Sequence, residues 1–258
     1  MFAAMIYDVQ KANMWKRFSA YLFDFIVLGI LAVGVAFLLS VVVGYDDHSA
    51  HRDELKKAYE QQYGVEFSIS QDEYDKLSDE QKDAYEQAYT AFVNDPEVNK
   101  TDLLIINLTL IITVFGVLVP YILLELIVPM LFKNGQTLGK KIFGIAVMRV
   151  DGVRISPLQL AVRTILGKYT VETMLPILLI LMFLFNFMPL ACVIGLGVII
   201  LTQFIMIVAT RMRTPIHDMI SGTVTVDLAS QLIFDSPEEL MEYKKKLHAE
   251  AAEAAQYK

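Results

Sequence analysis

One cysteine, one tryptophan and four histidines in 258 residues leave little material for several kinds of chemistry. The lone Cys192 lies in an apolar run, so no intrachain disulfide can form and redox compartment cannot be read from it. His48 and His51 sit in an acidic loop, apart from His217 and His248, and so indicate no metal-ligand set. There is no HExxH, no Ser/His/Asp arrangement and no credible nucleotide loop, which makes an intramembrane enzyme the least favoured class and leaves no cofactor expected. Charge is scarce too. Asp, Glu, Lys and Arg make up 20% of the chain, and none occurs from Phe25 to Val43 or from Met174 to Ala209.

Apolar residues occupy those gaps. They make up 55% of the chain, and mean hydropathy is positive. The nineteen uncharged residues Phe25 to Val43 match the roughly 20 that a helix needs to cross a hydrocarbon core of about 30 Å. The run is too long for a secretory signal and no small-x-small cleavage pattern follows it, so it reads as a retained first span. Asp24 interrupts its start, seven residues after Arg17, which puts both side chains on one helical face about 10.5 Å apart along the axis. An ionisable residue in a span costs on the order of 2.5 to 3.5 kcal/mol on insertion scales, so Asp24 requires a partner, either Arg17 or a base elsewhere such as Lys140. The second apolar run, Leu103 to Leu131, holds one acid, Glu125, and a kink candidate, Pro120. The thirty-six uncharged residues from Met174 to Ala209 would make a straight helix of about 54 Å. Two spans joined near Asn186 to Pro189 fit better than one long tilted span.

The expected fold is therefore an all-α polytopic membrane protein with four transmembrane helices, a small cytoplasmic β-hairpin and an extracytoplasmic helical insertion. Its parts are a lead-in and first span (1–43), an acidic insertion (44–101), a second span (102–132), a basic loop with hairpin and interfacial helix (133–168), the third and fourth spans (169–209) and a tail (210–258). Residues 44–101 carry fifteen Asp and Glu against six Lys and Arg, a local charge of −9 that leaves +2 for the rest of a chain at −7. Two capping boxes, Ser70-Gln71-Asp72-Glu73 and Ser78-Asp79-Glu80-Gln81, predict two or three short helices there. Residues 133–168 hold seven bases, Lys133, Lys140, Lys141, Arg149, Arg154, Arg163 and Lys168, against one acid, Asp151. Together with Lys11, Lys16 and Arg17, and with Arg211 and Arg213 after the fourth span, these bases place both termini in the cytoplasm by the positive-inside rule.

Asn134-Gly135-Gln136-Thr137-Leu138-Gly139-Lys140-Lys141 is no P-loop. Its glycines are one residue too close, Lys rather than Ser or Thr follows Lys140, and it succeeds a membrane helix instead of a strand. It reads as a tight turn laying Lys140 and Lys141 against anionic headgroups. Asp151-Gly152 is a favoured hairpin turn between Ile145–Val150 and Val153–Ile155, Ser156-Pro157-Leu158-Gln159 starts a helix able to lie along the membrane surface, and Thr223-Val224-Thr225-Val226 suggests a strand pairing with the hairpin. Residues 236–257 predict an exposed helical tail.

Arg17 with Ala20 and Asp24, Gly135 to Lys140 with Gly144-Ile145 and Asp151-Gly152, Arg163, and His217-Asp218 with Gly222-Thr223 together resemble the RDD family of membrane proteins, over roughly residues 12–43 and 102–227. The family is named for an Arg and two Asp, which here correspond to Arg17, Asp24 and Asp218. The 44–101 insertion departs from it, since many members have a much shorter first loop. The resemblance implies a bacterial, multi-pass cell-membrane protein, and some members behave as sodium/proton or related cation/proton antiporters. Carboxylates held in low dielectric can trade a proton for a cation, which allows such an activity.

Arg17, Asp24, Glu125, Lys140, Arg163, His217 and Asp218 are thus the transport or ion-pair candidates. The transport hypothesis puts exchange at Asp24, supported by Glu125 and Asp218, with monovalent cations, protons and the lipid bilayer as partners. The competing hypothesis is a noncatalytic scaffold or assembly factor that docks a protein through residues 44–101, its charged residues serving as packing pairs. Nucleic acid is not expected. The candidates gather near the cytoplasmic face, and deeper positions offer only Asn107, Thr109, Thr113, Asn186, Thr202 and Gln203.

Overall fold

The computed structural model of the protein describes residues 9–132, 134–209 and 214–256. Lys133, Arg211 and Arg213, three of the bases that favour a cytoplasmic orientation, lie outside the described residues. Four helices are long and apolar enough to cross a membrane: α1 (Met14–Val42), α5 (Pro96–Leu131), α7 (Pro157–Leu184) and α8 (Pro189–Ala209). Their lengths, from about 31 Å for α8 to about 54 Å for α5, reach or exceed a hydrocarbon core of roughly 30 Å. Polarity is inverted relative to a protein folded in water. Ile30, Val33, Phe37, Val198 and Phe204 are exposed, whereas Glu125, Lys140, Arg163 and Asp218 are buried. Lipid accepts the first set, and the second needs internal partners.

Three shorter helices lie between α1 and α5: α2 (Tyr45–Tyr63), α3 (Gln71–Asp75) and α4 (Asp79–Asn94). Both predicted capping boxes form, at Ser70 with Glu73 and at Ser78 with Gln81. The remaining elements are α6 (Leu138–Ile142), β1 (Ile145–Arg149), α9 (Ile216–Ser221), β2 (Thr223–Asp227) and α10 (Pro237–Gln256).

The chain divides into two compact units, Val33–Val117 and Met1–Ala32 with Leu118–Lys258. Within Val33–Val117, Phe67 makes ring contacts with Tyr85, Tyr89 and Phe92, and Tyr59 donates to Asp95 at 2.5 Å. Arg52 pairs with Asp102 at 3.0 Å. Gly116 on α5 lies so close to α1 that an added Cβ would come within 3.0 Å of the Ala36 Cβ.

In the other unit β1 and β2 pair antiparallel, Ile145 opposite Asp227 through Arg149 opposite Thr223. Asp151-Gly152 does turn the chain, with Arg149 N–H bonded to the Val153 carbonyl at 2.9 Å, but beyond an isolated bridge from Met148 to Arg154 the long partner of β1 is β2. Alternation sorts the strands by face. Ala146, Met148, Val224 and Val226 form one buried layer with Val9, Leu228 and Ile233 against it, and Val147 joins Ile155, Leu160 and Leu126 on the other. Gly222, at φ 64°, ends α9 in the left-handed conformation and allows the immediate turn into β2.

One expectation about the helices changes. The surface helix predicted after Ser156 is not separate, because it is the first part of α7 and continues without a break into the third span. Ser156 caps it as expected, accepting from the Gln159 N–H at 3.2 Å. Pro120, the kink candidate, lies inside α5, where it removes one N–H just before a π-helical segment, Ile122–Ile127, through which the helix continues. A second π-helical segment, Val162–Met174, occupies the middle of α7. The predicted break between the third and fourth spans does form, where Asn186 and Met188 take positive φ values before Pro189 starts α8.

Candidate functional site

The unit that holds α6 to α9 has a set of charges drawn from five helices, of which Glu125, Lys140, Arg163 and Asp218 are buried. Asp24 on α1 is the first surprise. Its carboxylate accepts from the Thr137 hydroxyl and, at 2.7 Å, from the Gly139 N–H. Thr137 is the N-cap of α6, accepting from the Lys140 N–H at 3.3 Å, so Asp24 and Thr137 share the free donors at that helix start. The glycine is required there, because a Cβ at position 139 would run into the Ala20 carbonyl oxygen and lie 3.0 Å from the Asp24 carboxyl.

Arg17 does not serve Asp24 as the spacing suggested. It reaches Asp218 instead, at 3.9 Å, because the 10.5 Å of helix between Arg17 and Asp24 favours a partner on another element. Asp218 has no solvent exposure. Arg163 donates to it from Nε at 2.8 Å, Thr223 from its hydroxyl at 3.0 Å and Thr225 at 3.4 Å. Burial pushes the Asp218 carboxyl upward, but Arg163, His217 and Arg17 outweigh it and hold the group well below the usual carboxylate range.

Glu125 lies in the π-helical turn of α5. Its carboxylate takes Lys168 at 2.6 Å, and its main-chain carbonyl takes the Thr164 hydroxyl at 2.8 Å. Lys140 is buried beside this pair, with its ammonium 3.3 Å from the Thr137 hydroxyl. It therefore does not rest on lipid headgroups; its neighbour Lys141 lies 3.8 Å from the Phe132 ring centroid. Burial, followed by the like charge of Lys168, pulls Lys140 down to about 7, while Glu125 and Asp24 act in the opposite direction.

The sequence reading passed over Glu172, which has three donors. His217 Nδ1 lies 2.7 Å from one carboxylate oxygen, while the His217 main-chain N–H at 3.0 Å and Gln203 Nε2 at 3.2 Å reach the other. Gln203 also accepts from the Ile216 N–H at 3.3 Å. Gln203, expected among the deeper polar positions, therefore belongs to the charged set. It lies only six residues before the end of α8. Burial and Arg163 lower the pKa of His217, against the opposing influence of Asp218 and Glu172.

The π-helical segment of α7 brings these groups together. Arg163 and Glu172 are nine residues apart, and at 3.6 residues per turn they would lie on opposite sides of the helix. At about 4.4 residues per turn the same nine residues make close to two full turns and bring both to one face. That face meets α9, where Arg163 holds Asp218 and Glu172 holds His217. Gly167 lies between them, with space for no side chain: an added Cβ would be 2.5 Å from the His217 Cβ and 2.6 Å from its Cα.

Asp24, Glu125, Glu172 and Asp218 thus share this unit with the cations Arg17, Arg163 and Lys168 and with Lys140, whose charge burial weakens. Among the described residues no group of three or more His, Cys, Asp or Glu could hold a metal ion. Every one of the seven residues singled out from the sequence falls in this unit. Lys168, Glu172 and the hydroxyls of Thr137, Thr223 and Thr225 complete the set. The alternation Thr223-Val224-Thr225-Val226 was a usable sign of the last two, since it puts both hydroxyls on one face of a strand.

No curated protein and no solved structure matches the chain. The sequence pattern of the RDD family matches residues 11–222, the stretch that contains all seven candidates and both π-helical segments. On that match, and with four helices long and apolar enough to cross a membrane, the chain is a membrane protein that belongs to the RDD family.

Proposed function

We propose that the protein exchanges a small monovalent cation for protons across the cell membrane, with Asp24 as the exchange carboxylate. One observation carries this reading. Glu125 and Asp218 are each clamped by a permanent cation and Glu172 by an imidazole, whereas the hydrogen bonds to Asp24 come from a hydroxyl and a main-chain N–H. Neutral donors orient a carboxylate without a direct ion pair, and the Lys140 ammonium stands one hydroxyl away on Thr137, which leaves the Asp24 oxygens open to a competing cation or proton. The bases of residues 133–168 support an orientation with the charged set toward the cytoplasm and both termini on that side. In this reading the protein alters no covalent bond, and the acidic residues 44–101 lie on the outer side, where they raise the local cation concentration.

The test uses the full chain in liposomes with an imposed sodium gradient and a luminal pH dye. Sodium-dependent proton movement is expected in the wild type. Asp24→Asn keeps the shape and accepts through its amide oxygen but carries no charge, and it is expected to lower the initial rate at least tenfold with insertion unchanged. Absence of flux in the wild type for sodium, lithium and potassium would overturn the exchange reading. That outcome would favour the scaffold reading, in which the close pairs Arg163 with Asp218 and Lys168 with Glu125 lock the unit as a base for a partner docked on residues 44–101.

A further inference from the structure

The imidazole of His217 is placed between two carboxylates. An ionised Glu172 only accepts hydrogen bonds, so the 2.7 Å contact makes Nδ1 the donor, and a neutral His217 then carries its lone pair on Nε2. That nitrogen faces Asp218 Oδ1 at 3.7 Å, just beyond hydrogen-bond reach. The side chain is 12% exposed, and its backbone is fixed by the N–H bond to Glu172 and by contact with Gly167.

We infer that Nε2 of His217 is a proton-binding site separate from Asp24, aligned by Glu172 and completed by Asp218, and that it carries the proton of the exchange. Its role in exchange rests on the reading above; proton binding does not. The groups around it are few. Glu172 and Arg163 face it from α7, Gln203 from α8 through Glu172, and Asp218 from its own helix, with Arg17 of α1 behind Asp218. A proton taken from hydronium, which breaks one O–H bond and leaves water, gives an Nε2–H directed at Asp218 Oδ1, which already accepts from Arg163 and Thr223. The new positive charge competes with Arg17 and Arg163 for one carboxylate. Arg17 and Asp24 are on the same helix, so α1 joins the Asp218 end of the site to the cation site. One proton gained at Nε2 balances one monovalent cation released at Asp24, and no bond other than N–H is made.

The decisive experiment is nitrogen-15 NMR of histidine-labelled full-length protein in detergent, titrated from pH 8 downward, with His217 assigned by its absence from His217→Gln. Expected at pH 8 is one neutral tautomer protonated at Nδ1, with Nε2 taking up a proton below the ordinary histidine midpoint of about 6.5. Removal of the Glu172 charge by Glu172→Gln should move that midpoint lower still. An Nε2 that stays unprotonated to about pH 5, or a midpoint that Glu172→Gln leaves in place, would overturn the site. In liposomes, His217→Gln is expected to reduce sodium-driven proton movement at least tenfold more than it reduces sodium/sodium exchange. Equal losses would overturn the proton-carrier role. If wild-type protein moves no cation, the exchange reading fails by itself, and the NMR titration still decides whether Nε2 binds a proton.

Discussion

Asp218→Ala, which leaves Arg163 buried without its closest counter-charge, is expected to destabilise the protein by about 3–5 kcal/mol, the range for breaking one side of a buried pair. Both residues are almost fully enclosed, so water cannot replace the lost carboxylate, and Thr223 and Thr225 lose their acceptor as well. The double change Arg163→Met with Asp218→Leu removes both charges and fills similar space. It should recover most of the loss, because a buried ion pair and a well-packed apolar pair are often close in stability. Thermal unfolding in detergent, followed by tryptophan or dye fluorescence, measures both. A double mutant no more stable than Asp218→Ala would show that the hydroxyl network, rather than the charge pair, holds α9. The pH dependence follows with a defined sign. The folded-state pKa of Asp218 lies below its ordinary value of 3.8, so the contribution is present at neutral pH and is lost as pH falls below that value. His217 acts in the same direction at higher pH. With its folded-state pKa below 6.5, the unfolded chain binds the extra proton first, and stability begins to fall as pH drops through that value.

Gly167→Ala should also be damaging, though less so, for a steric reason. With a Cβ placed 2.5 Å from the His217 Cβ and 2.6 Å from its Cα, the obstacle is partly backbone, and no rotamer relieves it. To restore ordinary contact, α9 has to move by about 1 Å, enough to stretch the bonds from His217 to Glu172 and from Arg163 to Asp218 beyond good geometry. The expected cost is about 1–3 kcal/mol, the range for overpacking, with loss of whatever flux the wild type shows. Gly197→Ala is the matching control. Nothing lies within 4 Å of a Cβ there, and alanine is the better helix former, so it should be neutral or stabilise by up to about 1 kcal/mol. Equal behaviour of the two variants would remove close approach of α7 and α9 from the account of the site.

The sequence by itself determined what linear spacing can encode. Apolar runs as long as the hydrocarbon is thick specify four spans, the Asn186 to Pro189 break separates the last two, and the serines at positions 70, 78 and 156 start helices by local hydrogen bonds. These depend on residues a few positions apart. It also determined that the acids and bases had to find partners, since lipid supplies none. The tertiary structure decided which partners they took. Arg17 and Asp24 share a helical face, yet Arg17 reaches Asp218, and Asp24 is held by Thr137 and Gly139 more than a hundred residues later. Helical periodicity puts Glu172 opposite Arg163, and only the π-helical turns of α7 bring both toward α9. The reason is physical. Sequence spacing fixes angles along a regular helix, whereas pairing depends on how helices approach one another and on where a helix departs from 3.6 residues per turn. Both are set by packing at residues such as Gly139 and Gly167, where a single missing side chain determines how close two backbones come.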